Sequence, residues 1–106
     1  HSVPYFPGAF TPGEIRGAWD SGCTAVKVFP ASSVGPGYLQ EVQRPLPEIA
    51  LVPTGGLSVD NAREYLHAGA ACLGIGGGLF QTSLQSGDMP PLAQRSKQLL
   101  KAIGYA

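Results

Sequence analysis

The 106-residue chain predicts an α/β fold, a parallel sheet covered by helices and built from four consecutive βα units. Three observations carry this reading. Short apolar runs alternate with helix-like segments along the whole chain. The runs are near-continuously apolar, as expected of strands buried on both faces. The intervening segments carry helix start and stop signals. Right-handed crossovers between parallel neighbours then follow. Two architectures satisfy the pattern, an open doubly wound sheet or part of a closed (β/α)8 barrel. A full barrel takes eight units and roughly 250 residues. A barrel-derived chain of this length is therefore half a barrel, with two open sheet edges that invite pairing.

The first apolar run is Val3-Pro4-Tyr5-Phe6. Thr11-Pro12-Gly13-Glu14 then reads as a helix start. Thr11 is the N-cap, Pro12 takes the first helical position and Glu14 completes a capping box. Ile15, Ala18 and Trp19 form the apolar stripe, and Gly22 suits the left-handed residue past the helix end. The second run is Ala25-Val26-Lys27-Val28-Phe29, stopped by Pro30. A helix over about Pro36 to Gln43 follows, with Tyr38, Leu39 and Val42 on one face. The third run, Ile49 to Pro53, ends in Thr54-Gly55-Gly56. Ser58 is read as the cap of a helix that turns Val59, Ala62 and Leu66 inward and closes at Gly69. The fourth run, Ala71 to Ile75, ends in Gly76-Gly77-Gly78. A last helix, about Pro91 to Ile103, buries Leu92, Leu99, Leu100 and Ile103.

Composition narrows the classes of function. Apolar residues make up 43% and charged residues 13%, a globular balance with room for a modest core. Seven basic and seven acidic residues give no net charge and no basic face for nucleic acid. The apolar runs are strand-sized, so none is expected to span a membrane, and the opening His1-Ser2 has the look of no signal peptide. A start without Met points to a fragment, a processed chain or a trimmed one. Cys23 and Cys72 lack metal-ligand spacing. Two buried, reduced thiols of a cytosolic protein is the favoured reading, with a disulfide left open.

Lys27 is the first candidate for chemistry. With a period of two, Ala25, Lys27 and Phe29 share one face of their strand. In a barrel one face meets the helices and the other points inside. A lysine aimed into an apolar interior is poorly hydrated, which disfavours its charged form. The free amine can then attack a ketone and form a Schiff base. A snorkelling lysine on an edge strand explains the same pattern, and the pattern alone favours that simpler account. The second candidate is the pair of glycine clusters, Thr54-Gly55-Gly56 and Gly76-Gly77-Gly78. Glycines admit an anion close to backbone N–H groups, and the following helix N-termini favour negative charge. Two clusters at successive strand ends favour a phosphate site over tight turns alone, and neither is a nucleotide motif. His67 near a helix end is read as complementing the dipole. His1 is terminal and uninformative. Ser32 and Ser33 lie near the strand end that carries Lys27 and are read as turn formers that could also touch a substrate.

These residues accumulate into a resemblance. Pro7-Gly8-Ala9-Phe10-Thr11-Pro12, Val26-Lys27-Val28-Phe29-Pro30-Ala31, Pro53-Thr54-Gly55-Gly56 and Gly74-Ile75-Gly76-Gly77-Gly78-Leu79-Phe80 occur in one order. Over about residues 3–80 the chain resembles the C-terminal part of bacterial 2-keto-3-deoxy-6-phosphogluconate / 4-hydroxy-2-oxoglutarate aldolases. The Lys-x-Phe-Pro-Ala segment with Pro-Thr-Gly-Gly downstream is the specific part. The resemblance implies strands five to eight of a (β/α)8 barrel, the whole chain being the C-terminal portion of one barrel domain. It implies a class I aldolase without cofactor or metal. Such an enzyme cleaves a 2-keto-3-deoxy sugar acid phosphate to pyruvate and glyceraldehyde 3-phosphate, or 4-hydroxy-2-oxoglutarate to pyruvate and glyoxylate. A cytoplasmic homo-oligomer, a trimer, is implied too.

By that similarity Lys27 is the Schiff-base lysine and Phe29 lines the pyruvate pocket. Thr54 sits beside the substrate, Gly55, Gly56, Gly76, Gly77 and Gly78 hold substrate or phosphate, and Pro7 lies near the site. Two departures stand out. The family commonly has a phosphate-binding serine where this chain has Gly78. Its general acid/base glutamate belongs to an N-terminal half without a counterpart here, as do a phosphate-binding arginine and a threonine. Glu14, Glu41, Glu48 and Glu64 fall in or beside helices and do not match that glutamate. Two other readings remain. One is a different phosphate-binding barrel, resembling thiamine-phosphate synthase or a sugar-phosphate epimerase, which would not need Lys27. The other is a non-catalytic fragment that binds phosphorylated ligands.

Overall fold

The computed structural model describes residues 3–104, with the side chains of residues 81–84 excepted. His1 therefore lies outside the described residues. Three short strands, β1 (Gly8–Ala9), β2 (Val26–Val28) and β3 (Leu51–Pro53), form a parallel sheet in the order β1-β2-β3. Helix α1 (Pro12–Asp20) connects β1 to β2, and α2 (Pro36–Gln43) connects β2 to β3. Then follow α3 (Ala62–His67), α4 (Gly77–Ser86) and α5 (Pro90–Ala102). Among the described residues no helix is long and apolar enough to cross a membrane.

The first helix starts as its local chemistry dictates. The Glu14 amide donates to Thr11 Oγ1 at 3.3 Å, and the Thr11 amide donates to Glu14 Oε1 at 2.9 Å. The Thr11 amide, the Thr11 hydroxyl and the Phe10 amide hold the Glu14 carboxyl below its ordinary range. Stability from this cap is therefore fully present above the ordinary carboxylate pKa of about 4.5 and is lost as pH falls through the lowered native value. Thr11→Ala should cost about 1 kcal/mol at neutral pH, read from denaturant unfolding followed at Trp19. The acid limb of the Thr11→Ala profile should be shallower than that of the parent.

The core lies between the sheet and the helix layer. Val26, Val28 and Leu51 pack with Ile15 of α1, Leu39 and Val42 of α2, Ile49, Leu57 and Tyr65 of α3. Burial pushes the Tyr65 phenol up, and its hydroxyl reaches the Ala31 carbonyl at 3.3 Å. Residues that share a row of a parallel sheet point to one side. Val26 pairs with Leu51, so their row faces the helices. The next row, Gly8, Lys27 and Val52, faces the other way.

Several expectations are corrected. Val3–Phe6 is not a strand; the strand is Gly8–Ala9. Pro4 and Pro7 have no N–H to donate. The stretch is held by the Tyr5 carbonyl, which accepts from the Thr24 amide at 3.1 Å. Val3 (71%) and Phe6 (51%) stay exposed. The fourth run makes one parallel bridge, Thr54 to Gly74, and no strand. The Ala71 amide donates to Leu51 and the Gly74 amide to Pro53, both at 2.9 Å. Three steps on one segment therefore match two on the other, and the ladder cannot continue. Cys72 lies where this ladder breaks and is exposed; Cys23 is buried, and both are free. Gly77 and Gly78 open a helix, α4, that the glycine run concealed. Leu100 faces outward at 45% exposure, while Leu99 is buried. Asn61, not Ser58, is the N-cap of α3. A turn intervenes, in which the Asp60 amide donates to Ser58 Oγ and the Ser58 amide to Asn61 Oδ1.

Candidate active site

Parallel strands bring their C-terminal ends to one edge of the sheet, and Phe29, Thr54, Gly55 and Gly56 follow those ends, whereas Pro7 precedes β1 and Lys27 lies in the middle of β2. Lys27 sits mid-sheet on the face away from the helices. Its neighbours Val26 (0% exposed) and Val28 (1%) are sealed in the core, while its own side chain is half-buried. The Lys27 amide donates to the Pro7 carbonyl at 2.9 Å, which fixes the backbone that carries the amine. The amine lies over the Phe29 ring, with Nζ 5.4 Å from the centroid. That ring is half exposed. Cation–π attraction suits such an edge position, where the ammonium is partly desolvated.

Phe29 lies in turn over the glycine turn that ends β3. A Cβ built on Gly55 would stand 3.4 Å from the Phe29 ring, and the positive φ of +101° there favours glycine in any case. Gly56 approaches Ser32, whose Cβ would be 2.5 Å from a Gly56 Cβ. The turn is anchored to β2: the Thr54 amide donates to Val28 at 3.0 Å and the Ala31 amide to Thr54 at 2.9 Å. The Thr54 hydroxyl fills the space that a side chain on Gly74 would need. At the preceding strand end, Tyr38 stacks on Phe10 with centroids 5.4 Å apart, and its hydroxyl donates to the Phe10 carbonyl. Burial raises the Tyr38 phenol above its ordinary pKa.

The second glycine cluster divides. Gly76 and Gly77 border open space. The first N–H groups of α4 have no intrahelical acceptor and carry the positive end of its dipole. Gly78 packs against the Leu57 carbonyl, and a Cβ would stand 3.3 Å from Ser58 Cβ. A serine at position 78 would therefore collide with the backbone after β3, so the glycine here has a packing cause. The same contact brings the two glycine segments together.

Three of the acidic residues have structural partners, and Glu14 lies at this same edge, bound to the Phe10 and Thr11 amides just after β1. Glu14 caps α1, Glu48 pairs with Arg16, and Glu41 pairs with Arg44. Among the described residues no three His, Cys, Asp or Glu side chains cluster as metal ligands. A cavity of about 280 Å³ between α2 and α3, lined by Gln40, Glu64 and His67, contains none of the expected site residues. Sequence reasoning missed Gly8 and Gly74. Each lies one strand away from the polar side chain it accommodates, and only the register pairs them.

The family model described as KDPG and KHG aldolase matches residues 1–94. The chain is 34% identical over 98% of its length to the 2-dehydro-3-deoxy-phosphogluconate aldolase of Treponema pallidum, covering 50% of that protein. A solved structure titled "Native KDPGal structure" superimposes with a TM-score of 0.85 at 31% identity, over 94% of this chain and 48% of that one. Thiamine phosphate pyrophosphorylase from Pyrococcus furiosus shares the fold, with a TM-score of 0.72 at 20% identity over 92% of this chain and 47% of that one. The chain spans about half the length of the curated relatives it matches. On the family match and the identity it shares with these relatives, the chain belongs to the KDPG and KHG aldolase family.

Proposed function

We propose that this chain is the strand five to eight portion of a single (β/α)8-barrel domain. The whole protein is a class I aldolase that releases pyruvate from a phosphorylated 2-keto-3-deoxy sugar acid. One observation carries the reading: Lys27 projects from mid-sheet on the helix-free face, with its amine against the Phe29 ring at the strand C-terminal edge. Family membership supports it.

In this reading the neutral Lys27 amine adds to the ketone carbon and water leaves. The protonated imine draws electrons from the C–C bond one carbon removed from it; a base takes the proton of the hydroxyl on the departing carbon, which leaves as the aldehyde, and the enamine left behind is protonated on carbon and hydrolysed, releasing pyruvate and the free Lys27 amine. Phe29 forms an apolar wall for the three-carbon unit, and Pro7 borders it. Thr54 offers a hydroxyl beside the reacting carbons. Gly55, Gly56, Gly76 and Gly77 present backbone N–H groups to the phosphate, with the α4 dipole behind them. Gly78 serves by letting α4 approach the first glycine turn. The same reading makes the protein a homo-oligomer, a trimer by resemblance, that works in the cytoplasm without cofactor or metal. The test is pyruvate release from 2-keto-3-deoxy-6-phosphogluconate by the full-length protein. Activity should be lost on incubation with pyruvate and borohydride, and an enzyme indifferent to that treatment would contradict the reading.

Gly55→Val tests the phosphate assignment. The branched side chain would press on Phe29 at a backbone φ of +101°. Strain at such a position costs about 1–3 kcal/mol. Protection against thermal unfolding by inorganic phosphate should disappear in this variant. Undiminished protection would place the anion elsewhere.

A further inference from the structure

Gly8 has no side chain, and that vacancy faces one group. Among the described residues, its two chain neighbours apart, a Cβ built on Gly8 meets a single atom within 4 Å, Cε of Lys27 at 3.3 Å. Gly8 and Lys27 are partners in the sheet register, so both project on the same face. The lysine stem therefore lies across the neighbouring strand where that strand is bare. Its amine ends over the Phe29 ring, and Phe29 itself rests on Gly55. The amine is held from two sides, by a gap under the stem and a ring at the head.

We infer that Gly8 is a positioning residue for the Lys27 amine, an inference that rests on the Schiff-base reading above. The backbone does not require glycine at this position, because Gly8 is absent from the residues of positive φ. Packing against the core does not require it either, since no other atom of the described residues beyond its two chain neighbours lies within 4 Å of the built Cβ. What a methyl group would alter is the path of the lysine. Cε would have to give by a few tenths of an ångström, and that displacement is passed on to Nζ, over the ring and beside the place for a ketone at Phe29. A glycine in a strand is ordinarily a weakness, because it loses more chain entropy on folding and packs nothing. Here the weakness is explained by the room it makes.

The test separates position from stability. Gly8→Ala and Gly8→Val are compared with the parent, each in the full-length protein, in the rate of pyruvate attachment to Lys27 under borohydride. Gly17→Ala is the control, because Gly17 lies within α1 and a Cβ there meets nothing within 4 Å. Gly8→Ala should unfold at the same or a higher temperature yet attach pyruvate roughly three- to tenfold more slowly, the rate equivalent of forcing a side chain about 30° off its rotamer. Gly8→Val should be slower still. Gly17→Ala should gain stability and keep the parent rate. Equal rates in Gly8→Ala and a parent that does attach pyruvate would overturn the role of Gly8 alone. A parent that attaches none at Lys27 would overturn the Schiff-base reading and this inference with it.

Discussion

Lys27→Ala should abolish capture of pyruvate by borohydride altogether, while the chain still folds. Reduction traps only an imine, and no other lysine lies in the sheet; Lys97 and Lys101 sit exposed in or at the end of α5. The substitution removes a half-buried amine from a sheet whose flanking valines carry the packing. Because those valines remain in place, the unfolding midpoint should stay close to the parent's. Intact mass after reduction reads the first effect and thermal unfolding reads the second. A fall in capture matched by loss of the folded state would instead mark Lys27 as a structural residue.

The second large effect concerns turnover. The 106-residue chain alone should cleave the keto-deoxy sugar acid phosphate about 10²–10⁴-fold more slowly than full-length relatives, the usual contribution of a positioned acid/base. Glu14, Glu41 and Glu48 are engaged in a helix cap and in ion pairs. Imine formation needs only a free amine, so capture at Lys27 should outlast turnover. Two sheet edges, at β1 and at the segment bridged through Gly74, should make the isolated chain self-associate. Sedimentation and pyruvate release measured together would decide. A monodisperse monomer with full cleavage would refute the expectation.

How far the fold was legible depended on how local its causes are. Thr11 and Glu14 cap a helix through residues three apart, and α2 runs over the expected Pro36–Gln43. The positive φ of Gly22 and Gly69 answers to helix endings visible in the sequence. Apolar runs were a poorer guide to strands. Val3–Phe6 is apolar enough, but Pro4 and the following Pro7 withhold donors, and Ala71–Ile75 slips its register against β3. Helix α4 stayed hidden because three glycines read as a turn and are poor helix formers. The exposure of Cys72 and Leu100 depends on which neighbours arrive from afar. The site followed the same rule. Lys27, Phe29 and the Thr54–Gly56 turn could be named from the chain. Gly8 under Lys27 and Gly74 beside Thr54 required the strand register, which periodicity does not supply.

The central claim is that the Lys27 amine is the one this fold prepares for a ketone. Peptide mapping of the 106-residue chain after reaction with pyruvate and borohydride tests it most directly. The account predicts one three-carbon adduct, on the peptide that contains Lys27, with Lys97 and Lys101 unmodified. An adduct spread over Lys97 and Lys101 with Lys27 clean would contradict it.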